Sequence, residues 1–361
     1  MKRWLLAGLL FFLVPGLALG ACGDWEEAFG TDAVEQALPE EAREALDGLT
    51  ATDADLDSGL EKLWAYAREK LNGILKDVLR PAAGVMAVVA LCAAADGAAE
   101  KRKGFDYVNL CGCLAISAVS VGDVHSLLTL GKETMLSLSD FSKVLLPVLS
   151  AASAASGAVT SAPAKYAATM LFLDVLINAA NALVFPLVCA YLTAVLADAA
   201  LDGGLAGPVK LLRWACRFTL GALVTAFTAY LSLTGVVASS ADALTTKAAK
   251  TALSAALPVV GGIVSDAAGS LVAGAGMIRS AIGVFGLLAV LAVCLVPFLT
   301  LGIRYLVFKA AGALAGVVSG GRLARLIDGI GGACGMILSL VGVEAVFLFI
   351  SILSLIKAVG L

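Results

Sequence analysis

Histidine is almost missing from this chain: His125 stands alone in 361 residues. One His rules out a His-Glu-x-x-His zinc protease, and Cys111-Gly-Cys113 lacks the two-residue spacer and second pair of a zinc ribbon. No Gly-x-x-x-x-Gly-Lys-[Ser/Thr] phosphate loop and no Gly-x-Ser-x-Gly nucleophile elbow occurs. Charge is scarce as well, at 15% of residues against about 25% in soluble domains. No basic block is long enough for a nucleic-acid footprint. Aromatics make up only 7%, so packing must rest on Ala, Gly, Leu and Val. These absences leave no catalytic residue, cofactor-binding residue or metal ligand to assign, and point away from an enzyme and from nucleic acid as a partner.

What is abundant is apolar sequence. Hydrophobic residues reach 60% and the mean hydropathy is +0.96, where soluble domains sit near about 45–50% apolar. The 38 Gly exceed the usual share of about 7% and favour close helix contact in lipid. The expected fold is all-α: a polytopic helical integral membrane protein of about seven spans, one or two of them re-entrant, with a small N-terminal helical segment outside the cytoplasm. Seven of the eight Cys lie within or beside apolar runs, where Cys behaves as a small hydrophobe.

The chain divides into residues 1–20, 21–80 and 81–361. Met1-Lys-Arg-Trp followed by Leu5–Leu19 has the charged and apolar regions of a signal peptide, with Ala18-Leu-Gly20 as its cleavage site. Leu19-Gly-Ala-Cys22 also resembles a lipobox; cleavage, an uncleaved anchor and lipidation at Cys22 all stay open. Residues 24–80 hold 15 Asp and Glu against 6 Lys and Arg. Pro39-Glu-Glu41 reads as a helix start, and Ser58-Gly-Leu-Glu61 as a capping box. Beyond it Leu60, Leu63, Trp64, Ala67, Leu71, Ile74, Leu75, Val78 and Leu79 form one helical stripe. That face covers either the protein's own body, the membrane interface or a partner. Pro81 is expected to kink the helix at the first span, 82–99.

Lys101-Arg102-Lys103 then marks a cytoplasmic loop by the positive-inside rule, and Lys210, Arg213 and Arg217 suggest a second. Three apolar runs lie between them, 107–130, 141–162 and 170–197, although an even number of crossings is required. The middle run, rich in Ala and Ser, is the re-entrant candidate. Asp174, Asn178 and Asn181 share one face of the third run, for interhelical hydrogen bonds or a water-filled path. Further spans are read at 214–238, 282–303 and 334–356, with Arg304 marking an end and Glu344 the only acid in the last. Gly312, Gly316 and Gly320 form a four-step small-residue ridge.

The most informative stretch is Pro258–Arg279. Its small residues Gly261, Ser265, Gly269 and Ala273 step by four, and Gly262 and Asp266 lie beside them. It reads as a packing or pore-side segment, either a close-packed helix or a re-entrant hairpin. The string Pro258-Val-Val-Gly-Gly-Ile-Val-Ser-Asp-Ala, with Ile282-Gly-Val-Phe-Gly-Leu-Leu-Ala, Cys294-Leu-Val-Pro-Phe and the Asp174–Asn178 region, resembles the stage III sporulation protein AE family. That resemblance covers most of the chain. It implies a mother-cell membrane protein around the engulfed forespore. There it would act as a subunit of a channel or secretion-like feeding complex, with sister stage III sporulation membrane proteins and a forespore-side partner. Two other readings rest on the residues themselves: an autonomous small-molecule or ion permease, and a membrane scaffold that only anchors partners. The candidate packing or pore-lining residues are Pro258, Gly261, Gly262, Ser265, Asp266, Gly269, Asp174, Asn178, Asn181 and Glu344.

Overall fold

A computed structural model describes residues 30–52, 54–98, 107–159, 161–201, 204–229, 261–319 and 321–356. The signal-peptide region 1–20, Cys22, the Lys101–Lys103 loop and Pro258 lie outside the described residues. Every regular element described is helical. Two short helices come first, α1 (Thr31–Gln36) and α2 (Glu40–Ala45), followed by α3 (Leu56–Ala98) and α4 (Tyr107–Ala155). Helix α5 (Ser161–Ala179) runs through a π-helical turn at Ala180–Val184 into α6 (Phe185–Ala200). Helix α7 occupies 206–229, and α8 (Gly261–Val318) and α9 (Gly321–Ile356) complete the chain.

Five of these passages are long and apolar enough to cross a membrane: Leu56–Asp96, Tyr107–Ala155, Ala162–Ala200, Gly276–Val318 and Gly321–Ile356. Each exceeds the roughly 20 residues that a bilayer requires. The run expected at 107–130 and the 141–155 part of the run expected at 141–162 are one helix, α4, and the rest of the second run leads into α5, so the second run is no separate re-entrant piece. Lys132 and Glu133, which interrupt the apolarity, are exposed while Gly131, Thr134 and Met135 are buried. Polar residues on one face leave helical bonding intact. Likewise α8 continues from the Gly261 region through the 282–303 run to Val318, and α3 passes through Pro81.

Local capping explains where the elements start. Pro39 precedes α2 with ψ 151, and Glu40 and Glu41 occupy its first turn, as expected at the positive end of the helix dipole. The cap of α3 is Asp55 rather than Ser58. Its carboxylate accepts the Ser58 N–H at 3.2 Å, and the Ser58 hydroxyl turns back to donate to the Asp55 carbonyl at 3.1 Å. Asp fills this role because its short side chain reaches the third N–H of the first turn. Between α4 and α5 the chain turns at Gly157, whose φ of 110° disfavours a side chain. The π turn stands just before Pro186, which cannot donate the regular helical bond.

The most extensive helix contact is the antiparallel α8–α9 hairpin. Helices α3 and α4 pack on α8, and α4, α6 and α5 on α9. Glycines set the close approaches. A Cβ on Gly312 would stand 3.1 Å from the Asp328 amide nitrogen, and one on Gly335 3.0 Å from the Tyr305 ring. The ridge expected at Gly312 and Gly316 therefore meets α9 near Ala324 and Asp328. Gly59 brings α3 onto Leu288 of α8. The stripe of α3 is realised in part: Leu63, Ala67, Ile74 and Val78 are buried, whereas Leu60, Trp64 and Leu79 are exposed. Val34, Leu38, Ala42 and Leu46 join the same hydrophobic core as the long helices. At the far end, Ser153 donates to the Leu355 carbonyl at 3.2 Å, Lys165 to the Ser354 carbonyl at 2.8 Å, and Thr169 and Ser351 lie 2.9 Å apart.

Candidate functional site in the buried core

Burying a charge costs several kcal/mol unless a partner compensates, so the charged groups inside this apolar bundle mark its chemistry. Asp123 on α4 and Arg304 on α8 form an ion pair at 3.1 Å, with side chains 14% and 10% exposed. The pair is a charge contact rather than a network of aligned hydrogen bonds. Asp123 Oδ2 and Arg304 Nε have no hydrogen-bond partner among the described residues. Cys334 of α9, fully buried, lies within electrostatic reach of both. Three helices thus meet at one charged level.

Further along α9 stands Glu344, with no exposed surface. Neither of its carboxyl oxygens has a hydrogen-bond partner among the described residues. Cys294 of α8, itself buried, lies within electrostatic reach of it. A carboxyl group in this setting is expensive in a membrane helix, which keeps Glu344 a candidate site residue. Glu344 and the Asp123–Arg304 pair occupy different levels of the α4–α8–α9 core: Gly335 beside Tyr305 fixes the level of Arg304, and Gly342 beside Phe298 that of Glu344.

The other expected positions fall elsewhere. Asp174 and Asn178 lie on the outside of the described bundle, and the Asn178 amide donates to the Asp174 carboxylate at 3.2 Å. Asn181 lies in the π turn. Gly261, Gly262, Ser265, Asp266 and Gly269 form the first turns of α8, a continuous helix rather than a hairpin. Arg304, expected to end a span, sits mid-helix and buried instead. Sequence reasoning passed over Asp123, although a lone acid in the apolar run 107–130 was the available signal. Among the described residues no three His, Cys, Asp or Glu side chains converge as a metal site. Cys92, Cys113, Cys216, Cys294 and Cys334 are buried thiols outside any disulfide, while Cys111 and Cys189 are exposed.

A long-helix bundle with five passages of membrane-crossing character, closed around a hairpin that buries paired and unpaired charges, defines a polytopic helical membrane protein. Comparison with known proteins carries this one step further. The chain belongs to the stage III sporulation protein AE family, whose model matches residues 72–359, and so stands among sporulation proteins. It is 21% identical over 248 residues to a Stage III sporulation protein AE of Bacillus subtilis (strain 168). That match covers 68% of this chain and 62% of the relative's length. No solved structure matches.

Proposed function

We propose that the chain is a non-enzymatic membrane subunit of a sporulation-specific channel or secretion-like complex linking mother cell and forespore. The observation that carries this reading is the family match over residues 72–359. The partners are sister stage III sporulation membrane proteins and a forespore-side protein. The subunit sits in the mother-cell membrane around the forespore, with its acidic N-terminal segment outside the cytoplasm.

Two features of the bundle support it. Two long passages, α4 and the α5–α6 unit, separate the 101–103 loop from Lys210. Two crossings return the chain to its starting side, so both basic loops fit the cytoplasmic face. In addition, Asp174 and Asn178 face outward from a long apolar passage, which is costly against lipid. A neighbouring subunit covering that face removes the cost. The test is deletion of the gene in an endospore-forming host, with forespores followed by microscopy. The reading predicts arrest after engulfment and few heat-resistant spores, restored by the intact gene. Normal spore yield from the deletion strain would overturn it.

A further inference from the structure

Beside Tyr305 and Gly335 of the α8–α9 hairpin, cations outnumber acids: Arg213, Arg217 and Lys309 stand against Asp328. A cavity of about 260 Å³ opens there between α7, α8 and α9, and Arg213, Arg217 and Lys309 contribute to its wall with Tyr305 and Ser339. Among the described residues no carboxylate lines it. Gly332 and Gly335 also line it, and their lack of side chains lets the Tyr191 hydroxyl and the Tyr305 ring approach the α9 backbone closely. Arg213 is held in place from behind: its guanidinium donates to the Tyr191 hydroxyl at 2.6 Å and lies 3.9 Å from Asp328. Its Nε is buried and has no hydrogen-bond partner among the described residues. Asp328 also pairs with Lys309 at 2.5 Å, so one carboxylate is shared by two cations. Among the described residues Arg217 makes no ion pair and is exposed. The local charge is therefore positive, and with Arg213 and Lys309 partly desolvated it calls for an anion.

The surroundings say where this anion lies. On the same helix as Arg213 and Arg217, Leu211, Trp214 and Phe218 are exposed at 62%, 59% and 60%. The Trp214 and Phe218 rings stack with centroids 5.2 Å apart. Large exposed aromatics interleaved with Arg are the signature of the membrane–water interface. Basic pockets between membrane helices at that level take phosphate headgroups, and a guanidinium fork matches two phosphate oxygens.

We propose that the Arg213–Arg217–Lys309 cavity binds a phosphate group, supplied by an anionic phospholipid headgroup at the bilayer surface. Arg213 is the fixed donor, with its free Nε. Arg217 and Lys309 close around the phosphate, and Trp214 and Phe218 rest among the adjoining acyl chains. The proposal is independent of the channel reading, since it concerns the lipid-facing end of one subunit. It differs from the general attraction of basic loops to anionic membranes in requiring a defined site.

The experiment compares the full chain with Arg217→Gln and with Arg213→Gln/Arg217→Gln, each purified in mild detergent. Arg68→Gln, an exposed cation on α3, is the control. Native mass spectrometry then reads the phospholipid retained after mixing with phosphatidylglycerol and phosphatidylcholine. The proposal predicts that wild type and Arg68→Gln retain phosphatidylglycerol at least about tenfold over phosphatidylcholine, and that Arg217→Gln loses most of this preference. Arg217→Gln keeps the result interpretable if loss of Arg213 unfolds the protein. In a second arm, inorganic phosphate is added to delipidated protein and the thermal midpoint is followed. A shift in wild type but not in Arg217→Gln, with no lipid preference, would overturn the lipid source in favour of free phosphate. Equal lipid retention by wild type and Arg217→Gln, with no phosphate response, would overturn the site itself.

Discussion

The inner hairpin and the outer helices of this protein are built on different terms. In α8, 67% of the most apolar window is buried inside the bundle, and in α9 56%. In α3, α4 and the α5–α6 passage the corresponding shares are 28%, 24% and 29%. The inner pair is defined by contact: glycines at backbone distance, an ion pair shared with α4, and a carboxyl with no partner. The outer passages are as long but less apolar, with mean hydropathy of 1.6 to 1.9 against 2.5 and 2.8 for the inner pair, and most of that surface faces away from the described residues. Their sequence answers to lipid or to neighbouring subunits. A substitution should therefore act on folding in the inner pair and on assembly at the periphery.

The largest effect is expected at Arg304. Arg304→Leu leaves Asp123 buried without its cation, which costs about 3–5 kcal/mol. Loss of monodisperse protein, or a thermal midpoint lowered by many degrees, is the readout. Wild-type behaviour would erase the distinction between inner and outer helices. Next comes Gly312→Leu, which drives a side chain into the α9 backbone near Asp328 and should cost about 1–3 kcal/mol. Gly302→Leu, on the same helix but with no neighbour within 4 Å of a Cβ, should leave the midpoint nearly unchanged. Equal effects would show that glycine contacts do not set the hairpin.

At the periphery Asp174→Leu should change the midpoint of the isolated subunit by no more than about 0.5 kcal/mol. Recovery of sister proteins with it from sporulating cells should fall. Undiminished recovery would leave the outward carboxylate without an assembly role. The smallest effect is expected at Glu44, outside the spans. The Tyr66 hydroxyl, at 3.1 Å, and then Lys70, at 3.3 Å, hold its carboxyl below the usual 4.5. A lowered folded value means that its contribution is present above pH 4.5 and fades as pH falls through that lowered value. Hydrogen exchange across residues 40–46 should thus rise on acidification in wild type and show no such step in Glu44→Gln.

The inner–outer contrast also explains what could be read from the sequence. Helical class and apolar passages were visible, because composition and hydropathy report on the solvent a helix needs. Glu344 was visible as the only acid in a long apolar run. The pairing of Asp123 with Arg304 was not: a basic residue beside an apolar run resembles a span end, and only the continuation of α8 to Val318 buries it. The union of 107–130 with 141–155 was hidden for a related reason. Hydropathy averages over all faces, while Lys132 and Glu133 occupy just one. The outward placement of Asp174 and Asn178 depends on which face of α5 the rest of the bundle leaves open, and a helical wheel carries no such information.

One buried charge pair, Asp123 with Arg304, locks α4 against α8 beside Cys334 of α9. Its most direct test is a double-mutant cycle on purified protein with Asp123→Asn, Arg304→Gln and the two combined, read as stability in detergent. The account predicts a coupling energy above about 1 kcal/mol, with the double variant more stable than the sum of the single losses. Additivity within about 0.5 kcal/mol would contradict it.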